Sequence, residues 1–124
     1  MPLALVAGGC RQAATPQSAA QLFVDRYYVE RDHQAALALC TDAAAQRVRD
    51  EEKLLEGAGL PTGELPHVYS KLEGVVPGKD GDEATFTVTV DSGGVRFKKR
   101  VLLVVRKEAE QYKVAYFSDT DLPE

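Results

Sequence analysis

Apolar and polar positions along this chain keep two different periods. In the first half, Ala20, Phe23, Val24, Tyr27 and Tyr28 return at three- and four-residue spacing, the period of a helix with one buried face. Thr15 followed by Pro16 is a helix start: a hydroxyl able to cap, then a proline at the first helical position. A helix is therefore predicted over residues 16–30. Asp32 is placed to cap a second, short helix over 33–40, with Ala36, Leu37 and Cys40 turned inward. Thr41 is placed to cap a third over 42–56. There Ala44, Val48, Leu54 and Leu55 stand among Arg47, Arg49, Asp50, Glu51, Glu52 and Lys53, and Gly57 and Gly59 end it. Residues 60–66, with Pro61, Gly63 and Pro66, read as a loop.

After that loop the period changes to two. Residues 67–76 are strand-like and end at Pro77-Gly78-Lys79-Asp80-Gly81. Over 83–90, Ala84, Phe86, Val88 and Val90 alternate with Thr85, Thr87 and Thr89. Asp91-Ser92-Gly93-Gly94 is a hairpin turn. A long strand follows over 95–106, then a turn over 107–110. The last strand covers 111–118, with Tyr112, Val114 and Tyr116 on one face, and residues 119–124 form a polar tail. Tight turns make neighbouring strands antiparallel. The predicted fold class is α+β: three N-terminal helices packed on a four-stranded antiparallel meander sheet.

Composition narrows the function classes. The 124 residues make one domain's worth of chain, 44% hydrophobic and 27% charged. A net charge of -4 argues against nucleic acid as a partner. Two cysteines and two histidines are too few for a disulfide scaffold or a metal cluster, and no cofactor is implied. The chain has no Asn, Ile or Trp, which suggests a GC-rich bacterial source.

The N-terminus reads as an address. Met1-Pro2-Leu3-Ala4-Leu5-Val6-Ala7 is a short apolar run, followed by Gly8, Gly9 and Cys10. Ala7-Gly8-Gly9-Cys10 resembles a bacterial lipobox, in which the cysteine takes a diacylglycerol and the preceding peptide is removed. It departs from that pattern in carrying Ala7 where the lipobox usually has Leu, and in lacking a basic leader. A start codon assigned too late would account for both. The competing reading is a frayed apolar N-terminus on a cytosolic protein. Seven apolar residues fall short of the about 20 that span a bilayer as a helix. The expected organisation is a truncated signal segment at 1–9, a lipidated Cys10 with a flexible tether at 10–17, one domain at 18–120 and a polar tail at 121–124. Arg11, standing where Asp signals inner-membrane retention in many lipoproteins, slightly favours the periplasmic face of the outer membrane. Cys40, set in Leu37-Ala38-Leu39, reads as a buried small hydrophobe; a Cys10–Cys40 disulfide is the alternative.

Residues 20–28 (Ala-Gln-Leu-Phe-Val-Asp-Arg-Tyr-Tyr) and 31–37 (Arg-Asp-His-Gln-Ala-Ala-Leu) carry a family resemblance. An aromatic helix, a short Asp-containing break and a small helix ending in Leu resemble the nuclear transport factor 2-like, or cystatin-like, superfamily. With the lipobox ahead of it, the chain is similar to bacterial lipoproteins of that superfamily. The resemblance spans about residues 18–118. It implies a curved sheet wrapped around the first helix to form a conical cavity. Members include ketosteroid isomerase-like enzymes, dehydratases, transport factors and proteins without a known ligand, so the fold leaves the function open.

Within such a fold, Tyr27 and Tyr28 are candidates to line the cavity, where a phenol donates to a ligand oxygen. Packing of both rings between helix and sheet is the preferred reading. Lys99 shares an alternating face with Val95, Phe97, Val101, Leu103 and Val105, and could meet an acidic ligand there. A bulge or surface position near Lys98-Lys99-Arg100 is the preferred alternative, and that basic run could also touch anionic lipid. His33 and His67 read as surface or strand-edge residues, and Asp32 as a cap; Asp25 is the other carboxylate near the first helix. The expected function is a non-enzymatic envelope lipoprotein domain. It would be anchored to the membrane through its N-terminal lipid and bind a small apolar ligand or an envelope protein. The alternatives are a small isomerase- or dehydratase-like enzyme on the same fold, and a cytosolic homodimer associating through its sheet.

Overall fold

Thr15 opens the first helix through a reciprocal cap. Its hydroxyl accepts from the Ser18 amide at 3.0 Å, and the Ser18 hydroxyl accepts from the Thr15 amide at 3.2 Å. Two amides that helix geometry leaves without partners are thereby satisfied. The computed structural model describes residues 14–58 and 66–123. The apolar run, Cys10 and residues 11–13 of the expected tether lie outside these residues, as do 60–65 of the predicted loop. Pro16 and Gln17, expected in the tether, already belong to the helix.

Helix α1 (Pro16–Val24) runs on into a π-helical turn at Asp25–Val29, closed by the Glu30 amide donating to the Asp25 carbonyl at 2.8 Å. Arg31, at a φ of 57°, ends it. Asp32 caps α2 (His33–Leu37) by accepting from the Ala35 amide at 3.0 Å. The chain then runs to α3 (Asp42–Ala58). On the way it pairs with the sheet edge: the Thr41 amide donates to the Val114 carbonyl, and the Val114 amide to the Leu39 carbonyl, both at 2.9 Å. Strand groups that would otherwise face solvent at that edge are occupied.

The strands are β1 (His67–Pro77), β2 (Asp82–Ser92), β3 (Val95–Glu108) and β4 (Gln111–Leu122), antiparallel and in the order β1-β2-β3-β4. The architecture is α+β, with helices on one face of an open four-stranded sheet. Gly93 and Gly94 make the β2–β3 turn with φ of 58° and 85°, the left-handed pair that a two-residue hairpin requires. The core lies between this face and the helices. Phe23, Val24, Val48, Phe86, Val88, Val101, Leu103, Val105 and Val114 are its large, fully buried side chains.

Two bulges redirect side chains. In β1 the register against β2 shifts between Leu72 and Gly74, and in β3–β4 it shifts between Val104 and Val105. The second bulge leaves Ala115 without a partner on β3 and reverses the facing of the residues after it. Val114 faces inward as expected, but Tyr116 is 46% exposed and Phe117 is buried in its place. The expected shared face of Tyr112, Val114 and Tyr116 therefore breaks at Ala115. Strand β4 also continues to Leu122, so residues 119–122 are not a tail. Extra ladder pairs, from Val101 with Asp119 to Lys98 with Leu122, hold them in the sheet. On α3, Leu54 is 72% exposed, whereas Ala44, Ala45 and Val48 are buried.

Candidate functional site

The π-helical turn sets two successive tyrosines toward the sheet, which a single helical stripe does not do. Tyr27 is buried, its ring stacked on Phe23 at 5.4 Å and edge-on to Phe117 at 5.0 Å. His33 stands edge-on to Tyr27 at 5.2 Å, so it is part of this packing and only half-buried. Tyr28 reaches across to β4, where its hydroxyl donates to Asp119 Oδ2 at 2.7 Å.

Asp119 is the centre of a polar cluster. Arg47, from α3, donates to the same Oδ2 at 3.1 Å and to the Phe117 carbonyl at 3.0 Å. Its guanidinium also lies 4.3 Å from the centre of the Phe117 ring, and it pairs with Glu51 at 3.7 Å. Lys99 Nζ lies 3.9 Å from Asp119 Oδ1. Four elements of the chain therefore meet at one carboxylate: the end of the first helix, α3, β3 and β4. A second, smaller cluster ties the first helix to β1. Gln21 donates to Asp25 at 3.0 Å and to Ser70 at 3.2 Å, and the Ser70 hydroxyl is 3.4 Å from Asp25.

Lys99 arrives at this site by strict alternation. The β2–β3 register is continuous from Asp82–Val105 to Ser92–Val95, so the bulge expected near Lys98-Lys99-Arg100 is absent. Lys99 points to the helix side with Val101 and Leu103, while Lys98 and Arg100 point to the other side. The nearby bulge is at Ala115, on the neighbouring strand. Tyr28 and Lys99, both candidates to line a cavity, thus meet through Asp119, and Tyr27 packs beside them. Sequence reasoning missed Arg47 and Asp119. Arg47 stands in a charged helix stretch and Asp119 in what looks like a tail, and no local signal distinguishes either from its solvated neighbours.

Chemically, the cluster holds its protons in place. Burial, then the hydrogen bond to Asp119, pushes the Tyr28 phenol well above the ordinary range. Burial, then the Glu51 carboxylate facing it, does the same for Tyr27, whose enclosed hydroxyl has no hydrogen-bond partner among the described residues. Cys40 is buried, its thiol donating to the Ala36 carbonyl at 3.1 Å, and burial pushes its pKa up to about 12. These are the properties of an unreactive thiol. The unfolded chain loses these protons first, from the ordinary thiol value of 9.0 and phenol value of 10.0 upward. Their contribution to stability is thus complete below pH 9.0 and falls as pH rises through the window above it. Urea unfolding at neutral pH and at pH about 11 tests this: the midpoint should be clearly lower at the alkaline value, and an unchanged midpoint would refute it.

A separate depression of about 260 Å3 is lined by Arg96, Phe97, Lys98, Leu122 and Pro123, none of which belongs to the Asp119 cluster. Among the described residues, no three His, Cys, Asp or Glu side chains come together as metal ligands, and no helix is long and apolar enough to cross a membrane. His67 lies exposed on the edge strand β1, stacked on Tyr69 at 6.4 Å. No protein-family model matches this chain, and neither a curated protein nor a solved structure matches it.

Proposed function

We propose that this chain is a non-enzymatic, lipid-anchored domain of the bacterial cell envelope, with a nuclear transport factor 2-like fold and a role in interaction rather than catalysis. The observation that carries the non-catalytic part is the aromatic packing between the first helix and the sheet. Phe23, Tyr27 and Phe117 fill the space where the resemblance implies a conical cavity, with ring centres 4.9 to 5.4 Å apart. The polar groups beside them are committed to one another. Tyr28 spends its proton on Asp119, and Arg47 and Lys99 balance that carboxylate. A general base needs a carboxylate open to substrate; this one is held in a structural contact. A filled interior supports a macromolecular or surface partner over a small apolar ligand.

The envelope address rests on Ala7-Gly8-Gly9-Cys10. Its test is intact-mass spectrometry of the membrane fraction from a bacterial host expressing the gene with its native upstream DNA. The expected result is a mature chain that begins at Cys10 and carries acyl mass. A soluble chain that retains Met1 without added mass would overturn the reading.

A further inference from the structure

The Lys98-Lys99-Arg100 run is divided by the sheet. Lys99 turns inward to Asp119, whereas Lys98 and Arg100 stand exposed on the face that the helices leave uncovered. That face gains a third base from another strand. The register places Lys71 opposite Thr87, and Thr87 opposite Arg100. Three exposed bases, Lys71, Lys98 and Arg100, are therefore spread across β1 to β3, with Lys71 and Arg100 about 10 Å apart, two strand spacings, and Lys98 in the next row. None of them is in an ion pair among the described residues, while Arg26, Arg47, Arg96, Lys99 and Arg106 each are.

The surroundings suit a headgroup layer. Thr87, Thr89 and Thr120 share the face and offer hydroxyls, and Tyr69, 55% exposed, lies in the row next to Lys71. Of the acids on this side, Glu73 lies within the band beside Lys71 and Thr87 and offsets one of its three positive charges, while the others are paired or set apart. Glu73 accepts from the Thr87 hydroxyl at 2.7 Å, Asp91 pairs with Arg96 at 3.2 Å, and Glu83 lies at the far end, in the row of Val76 and Val104. The chain as a whole carries a net charge of -4, so a basic band here works against its overall charge.

We infer that this uncovered sheet face is a docking surface for an anionic phospholipid bilayer, with Lys71, Lys98 and Arg100 meeting the phosphates. The inference deepens the envelope reading and rests on it for the choice of partner. A domain tethered at Cys10 is held near a bilayer, where each base adds roughly fivefold to surface binding. Lys71 and Arg100 stand on open strand surface and Lys98 at the rim of the depression beside Arg96 and Leu122, a spread across three strands that fits a layer of charge. A second copy of the chain stacked face to face would set these bases against themselves, an arrangement that like charges oppose.

The test uses the full chain with Cys10→Ser, which cannot be lipidated, and sedimentation with phosphatidylcholine vesicles containing or lacking phosphatidylglycerol. The expected result is binding only to the phosphatidylglycerol vesicles, reversed by salt. A Lys71→Glu, Lys98→Glu, Arg100→Glu variant should lose on the order of a hundredfold or more in binding. Thermal unfolding establishes that this variant is folded. A control with the same change in net charge, Arg31→Glu, Arg49→Glu, Lys53→Glu on the helical side, should keep most of the binding. Equal loss in both variants would mean that net charge acts and not this face, and would overturn the inference. So would no binding by the starting chain, or binding to soluble polyglutamate with none to vesicles, which would point to an acidic polypeptide. Acylation at Cys10 is read separately by mass. Vesicle binding by the unlipidated chain therefore stands or falls independently of the anchor.

Discussion

Replacing Phe23 with alanine is expected to cost about 3–5 kcal/mol. The side chain is completely buried, stacked on Tyr27 and inclined at 59° against Phe117 with centres 4.9 Å apart. Two losses combine. The ring's transfer from water is forfeited, and a void remains that rigid aromatic neighbours cannot collapse into. A single domain has about 5–15 kcal/mol in total, so this one change removes a large share. Urea unfolding reads it as a lower midpoint at nearly constant slope. Phe23→Leu, which keeps most of the volume, should cost clearly less. A loss under about 1 kcal/mol for the alanine variant would mean that the first helix is not seated on the sheet as described.

Asp119→Ala should be the next most damaging change, at about 2–3 kcal/mol. It removes the acceptor of the Tyr28 hydroxyl and of Arg47, and leaves Lys99 without its counter-charge. The arginine and lysine are about one-third exposed, so water takes over part of what they lose. The phenol is more enclosed and dominates the effect. Tyr28→Phe alone should cost about 1 kcal/mol. The double variant should cost less than the sum of the two, since both remove the same bond, by roughly 0.5 kcal/mol or more. Strict additivity in denaturant unfolding would show that Tyr28 and Asp119 do not interact in solution. Asp119→Asn keeps an acceptor for the phenol but no charge for Arg47, and should fall between the starting chain and the alanine variant.

Much of the fold was legible in the chain because local signals and burial agree. Thr15-Pro16 begins a helix, Asp32 caps one, and the alternation from Ala84 to Val90 gives a strand with one buried face. Each of these rests on a hydrogen bond or a period that a few residues determine. The alternation through Lys99 was equally plain, yet the apolar Leu102 and Val104 made a phase change there look reasonable. In the folded sheet those two residues occupy the less buried face, and the β2–β3 ladder holds the phase.

The candidate site was legible only in half. Tyr28 and Lys99 could be named, because an aromatic on a helix face and a lysine on an apolar face stand out against their surroundings. Arg47 and Asp119 could not. A charge next to other charges looks solvated until a distant partner is known, and Asp119 meets Tyr28 91 residues away along the chain.

The α+β class, the helix starts, the hairpin at Gly93-Gly94 and the sheet order that short turns impose are all written in the chain. All of these follow from local backbone preference and hydrophobic period. Tertiary structure decided which residue after Ala115 faces inward, because a bulge is a mismatch between two strands and neither strand carries it alone. It decided that residues 119–122 are strand, since ladder bonds to β3 outweigh their polar composition. It also divided the Lys98-Lys99-Arg100 run, sending Lys99 to Asp119 and leaving Lys98 and Arg100 beside Lys71. Register across strands, and not neighbourhood in the chain, sets which charges meet.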